Sequence, residues 1–89
     1  VTDQEGSPHK LIPRISGELY LGFAEHDHFV EDFVIRTLEE DLNVADCEYQ
    51  ILVHAGTEHG FCFPQRPSYV EAAAENVWAS VFAMYERNL

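Results

Sequence analysis

Eighty-nine residues form one domain at most, and a chain this short keeps much of its surface in water, so its core is small. Five Lys and Arg against 16 Asp and Glu give a net charge of -11, which excludes a nucleic-acid binder, because phosphate recognition needs clustered cations. The composition is 46% hydrophobic, yet no apolar run is long enough to span a bilayer, which excludes a membrane-spanning helix. Residues 1–7 show no charged region followed by an apolar one, so no signal peptide is visible. Cys47 and Cys62 match neither a metal spacing nor a disulfide framework and read as reduced thiols, which places the chain in the cytoplasm.

Residues 1–13 are polar, carry Gly6, Pro8 and Pro13, and read as an entering arm or linker. Residues 14–89 read as a single module. Its first strand is Glu18–Phe23, with Leu19, Leu21 and Phe23 on one face and Tyr20 and Gly22 on the other. Such near-continuous apolarity suits a strand covered on both sides, as in a parallel sheet. A helix follows over Val30–Leu42, with Val30, Phe33, Val34, Leu38 and Leu42 along one side and Asn43 as its stop. The second strand is Glu48–His54. The last helix starts at Ser68, where Ser68 and Glu71 have capping-box spacing after Pro67. Val70, Ala73, Ala74, Val77, Trp78, Val81, Phe82 and Tyr85 then repeat at helical spacing and form a core stripe, of which Phe82 and Tyr85 equally suit an oligomer contact. No internal repeat or low-complexity segment is present. The order strand, helix, strand, helix implies an α/β fold with a right-handed crossover and two parallel strands.

Parallel sheets bind ligands at the loops beyond the carboxyl ends of their strands. Asp27, in Ala24-Glu25-His26-Asp27-His28, and His59, in Gly56-Thr57-Glu58-His59-Gly60-Phe61, fall on those two loops. Neighbouring strands lie about 5 Å apart, so the two side chains are expected within hydrogen-bonding reach. A carboxylate on one imidazole nitrogen fixes the tautomer and leaves the other free to take a proton. Each residue also has a plainer reading: Asp27 as a cap on the helix near Val30, and His59 as a structural histidine. His26 and His28 form a His-x-His pattern that could ligate zinc with His54 or His59, but the third ligand would come from a distant loop, and no metal is assigned.

The runs Leu19-Tyr-Leu-Gly-Phe-Ala-Glu-His-Asp27 and Gly56-Thr-Glu-His-Gly-Phe-Cys-Phe-Pro64, with Tyr69 through Leu89, resemble the C-terminal portion of the dienelactone hydrolase family, a branch of the α/β-hydrolases. The resemblance covers nearly the whole chain. It implies a mostly parallel sheet with helices on both faces, here a βαβα fragment with a helix on each side of two strands. It also implies hydrolysis of a small ester or lactone without a cofactor. In that family the catalytic order is nucleophile, Asp, His, so the resemblance makes Asp27 the triad acid and His59 the triad base.

Two features depart from the family pattern. These 89 residues contain no Gly-x-Ser/Cys-x-Gly elbow: Gly56 and Gly60 have its spacing, but Glu58 stands at the centre. The segment alone is therefore expected to be inactive, with a non-catalytic, self-associating or partner-binding module as the alternative. Members that act on dienelactone resemble one another in an arginine four residues after the histidine; here Phe63 holds that position, and Arg66 lies nearby in sequence. The family topology also gives the first strand an outer neighbour that these residues do not supply. An open strand edge invites pairing, so a two-fold homodimer that covers the first-strand edge is expected, by antiparallel pairing of the first strands or by exchange of the arm of residues 1–13.

Overall fold

The computed structural model describes all residues 1–89. A short 3-10 helix, Pro8–Arg14, is followed by β1 (Leu19–His26), α1 (Asp32–Val44), β2 (Tyr49–Glu58) and α2 (Glu71–Asn88). β1 and β2 pair in parallel as a two-stranded sheet, in register from Leu19 opposite Tyr49 to Ala24 opposite His54. α1 and α2 lie on opposite faces. Val53 shares a hollow with Ile35 of α1, whereas Leu52 and His54, pointing the other way, face Ala73 and Asn76 of α2. No helix is long and apolar enough to cross a membrane.

Both strands run further than their apolar alternation predicts. β1 continues from Phe23 to His26 and β2 from His54 to Glu58. The extra residues are small or polar, a composition that the apolar alternation does not pick out.

The entering residues are not a free linker. Ile12 is buried and the 3-10 helix packs against α1, where His9 Nε2 lies 3.9 Å from Asp41. Ser7 is also buried; its Oγ accepts from the Thr2 amide at 3.0 Å and shares a hydrogen bond with His9 Nδ1 at 2.8 Å. Of the adjacent apolar pair Leu11 and Ile12 only Ile12 is buried, too short a pattern to be read from composition.

α1 begins two residues later than its apolar spacing predicts. Asp27 makes its local turn with Phe29 instead of capping the helix, whose N-cap is Glu31. The helix ends beyond Asn43, at Val44, and Asp46 takes the left-handed conformation that turns the chain, at φ 54°. The Asn43 side chain instead accepts the Tyr49 hydroxyl at 2.6 Å.

α2 corrects two expectations. It begins at Glu71, and Ser68 does not cap it: the Ser68 hydroxyl donates to the His59 carbonyl at 2.8 Å instead. Its apolar stripe is not core in this chain. Ala74 is buried, but Trp78, Phe82 and Tyr85 remain 45%, 61% and 50% exposed. A two-stranded sheet is barely wider than the roughly 10 Å diameter of a helix. It covers the near part of the stripe and leaves the outer part in water. Six residues in all are buried, so the apolar surfaces of this fold are only half closed.

Candidate active site

Asp27 and His59 are the first residues beyond the two strands, at the same carboxyl edge of the sheet. His59 Nδ1 and Asp27 Oδ2 are 2.8 Å apart. The Asp27 side chain is 11% exposed and the His59 side chain 47%, so the carboxylate is the covered partner and the imidazole faces outward. Removal from water acts to raise the Asp27 pKa, but the His59 hydrogen bond, the Phe29 amide and the positive fields of His59 and His28 outweigh it and hold the carboxyl below its usual range. An ionised carboxylate only accepts, so Nδ1 carries the hydrogen and donates it, and in the neutral imidazole Nε2 is then the acceptor. Nε2 makes no hydrogen bond within the chain.

Each side chain is held by its own loop. Asp27 Oδ1 accepts the Phe29 amide at 2.9 Å, and the Asp27 carbonyl accepts the Val30 amide at 3.1 Å, closing a local turn. That turn puts the Phe29 ring against the imidazole, 4.8 Å between centroids. His59 stands between two buried anchors, Thr57 before it and Phe61 after it. Gly60 has φ +85°, a conformation that glycine adopts without strain, and a Cβ there would come within 2.6 Å of Arg66 Cδ. Ser68 ties down the His59 carbonyl, and the Phe61 carbonyl accepts the Val70 amide at 3.1 Å, joining the loop to the start of α2.

A groove of about 200 Å³ borders the pair and is lined by Phe23, Ala24, Phe61, Cys62 and Phe63 together with His59. Burial pushes the Cys62 thiol up, so it stays protonated and is not an activated nucleophile. On the other side, toward α1, a wider basin of about 540 Å³ is lined by Glu25, His26, His28, Glu31, Asp32 and Glu58.

The zinc pattern does not assemble. His54 Nε2 lies 3.3 Å from the Tyr20 hydroxyl on the α2 face, and His59 is engaged by Asp27. His26 and His28 therefore lack a third histidine, and no three His, Cys, Asp or Glu side chains converge as a metal site.

Three contributors to the site escape the sequence pattern. Thr57 is fully buried, Ser68 has the spacing of a helix cap, and Glu25 is exposed and matches no motif. Only the Gly56 that precedes Thr57 hints at an irregular strand, since glycine within a strand often marks a bulge.

The model of the dienelactone hydrolase family matches residues 3–89. The chain belongs to the dienelactone hydrolase family. A protein of Synechocystis sp. named as a carboxymethylenebutenolidase is 29% identical over 82 residues, which are 92% of this chain and 33% of that protein. A crystal structure named as a dienelactone hydrolase from Klebsiella pneumoniae has the same fold, with a TM-score of 0.84 at 20% identity, over 89% of this chain and 33% of the other. The chain thus spans about a third of the length of these relatives. Its βαβα unit is part of an α/β-hydrolase fold, and Asp27 and His59 lie within the part matched to the family.

Proposed function

We propose that these residues are the acid–base portion of a carboxylic ester or lactone hydrolase. His59 Nε2 takes the proton of a serine or cysteine nucleophile as it attacks the acyl carbon, and returns it to the leaving oxygen. Asp27 holds the imidazole in the Nδ1–H tautomer and stabilises the imidazolium formed in between. The observation that carries this reading is the 2.8 Å Asp27–His59 contact with Nε2 free beside an apolar groove.

The nucleophile and the amides that hold the oxyanion belong to the part of the fold outside these 89 residues, so the segment alone has no turnover. Its two unpaired cysteines, Cys47 and Cys62, fit a reducing compartment such as the cytoplasm. An ester-hydrolysis assay of the segment alone and of the segment joined to a nucleophile-bearing remainder of a family member tests the reading. The joined form is expected to turn over, with Asp27→Asn lowering kcat by about 10⁴-fold, the size of effect seen when a triad acid is neutralised. Turnover in the segment alone, abolished by His59→Ala, would overturn the claim of inactivity. A joined form indifferent to His59→Ala would overturn the acid–base role.

A second reading, a self-associating module, is supported by the exposed Trp78, Phe82 and Tyr85 and by the unpaired outer edge of β1. Antiparallel pairing of two β1 edges gives a closed, two-fold, four-stranded sheet. The net charge of -11 opposes this at low salt, so association tightens as ionic strength rises. Sedimentation equilibrium over a concentration and salt series decides it, and a folded monomer throughout rejects it.

A further inference from the structure

The register of the sheet changes just before the site. Ala24 pairs with His54, but the next pair is His26 with Glu58, so the single residue Glu25 faces Ala55, Gly56 and Thr57. Had the regular register continued, Asp27 would face Thr57, and His59 would lie two residues further on, roughly 6–7 Å along the strand. The two extra residues of β2 are what bring His59 opposite Asp27.

Such an offset removes ladder hydrogen bonds, and side chains replace them. The Glu25 amide donates to Thr57 Oγ1 at 3.2 Å, the Thr57 hydroxyl donates to the His54 carbonyl at 2.6 Å, and the Gly56 amide donates to Glu25 Oε1 at 2.7 Å. Gly56 absorbs the extra length at φ +73°. Thr57 is fully buried, so its hydroxyl exchanges these bonds with no water. Glu25 and Thr57 each precede one member of the pair by two residues.

We infer that the clasp between Thr57 and Glu25 positions the acid–base pair: it locks the two-residue offset that sets His59 against Asp27. The inference rests on the reading of Asp27 and His59 as that pair. Neither Thr57 nor Glu25 touches the imidazole; both act through the backbone that carries it. Thr57→Val keeps the shape but removes the hydroxyl, leaving the Glu25 amide and the His54 carbonyl without partners.

The test uses the 89-residue chain with ¹⁵N-labelled histidine and reads the tautomer of His59 from two-bond ¹H–¹⁵N correlations. The native chain is expected to show His59 as the Nδ1–H form, and Asp27→Ala to lose it. Thr57→Val is expected to lose that preference and give a mixture dominated by the Nε2–H form of free imidazole, while the dispersed amide spectrum of the fold persists. Thr57→Ser, which restores the hydroxyl, is expected to recover the Nδ1–H form. Glu25→Ala, at an exposed position, is expected to shift His59 part-way, and it carries the test if Thr57→Val does not fold. A folded Thr57→Val chain with the native tautomer overturns the clasp, as does an unchanged tautomer in Glu25→Ala where Thr57→Val is unfolded. A native chain without the Nδ1–H form, or one indifferent to Asp27→Ala, overturns the pair itself and the inference with it.

Discussion

The carboxyl edge of the sheet and the outer face of α2 are finished to different degrees. At the sheet edge the polar groups find partners within the chain itself: Asp27 with His59 and Phe29, Thr57 with Glu25 and His54, Ser68 with His59. No buried side-chain nitrogen or oxygen is left without a hydrogen bond. On α2 the aromatic residues Trp78, Phe82 and Tyr85 leave about half of their surface in water, and Trp78 and Phe82 stack with 6.3 Å between centroids. Hydrogen bonds are short and directional, so a small segment can complete them by itself. Burial scales with area, and two strands do not offer enough of it. A segment of an α/β-hydrolase can therefore hold site geometry while leaving its core half closed.

The sharpest way to break that contrast is to remove what little core exists. Leu42 is fully buried, and Leu42→Ala is expected to cost about 3 kcal/mol. Chemical denaturation followed by circular dichroism reads the loss, and a midpoint that does not move would mean that α1 contributes no core. Next in size is the backbone of the site loop. Gly60→Ala forces a Cβ into the left-handed region and against Arg66, at an expected cost of about 1–2 kcal/mol. The same denaturation experiment checks it, and the His59 resonances should shift with it.

Acid sharpens the polar side of the comparison. The folded pKa of Asp27 lies below its unfolded value. The pair's stabilisation is therefore fully present above the unfolded carboxyl pKa of about 3.9, and it is lost as pH falls from there through the depressed folded value. Denaturation midpoints taken down this range should fall for the native chain, with a flatter acid limb for Asp27→Asn.

Smaller effects are expected where groups are already in water. Arg87 bonds Glu18 through two nitrogens, and Asn88 joins at 3.0 Å, tying the end of α2 to the start of β1. The Arg87 side chain is half exposed, so Arg87→Ala is expected to lower the denaturation midpoint only slightly, and less in high salt. Phe82→Ser should change the stability of a monomer least of all, within about 0.5 kcal/mol, because 61% of the residue is exposed. A larger loss that grows with protein concentration would show that the face is covered by a second copy.

The order of strands and helices, the parallel pairing, and the placing of Asp27 and His59 at one sheet edge were legible in the amino-acid sequence. Alternation and helical spacing are local properties, and right-handed parallel connection leaves one topology. Tertiary structure decided the rest. Ser68 has capping-box spacing, yet its hydroxyl goes to the His59 carbonyl, a partner nine residues away that no local pattern reveals. The α2 stripe has the spacing of a core helix, but periodicity says which side chains share a face, not whether a surface exists to cover them. The two-residue offset at Thr57 lies beyond periodicity altogether. It depends on which hydrogen bonds two strands can exchange once they meet, and that is settled only when Glu25 and Thr57 lie side by side.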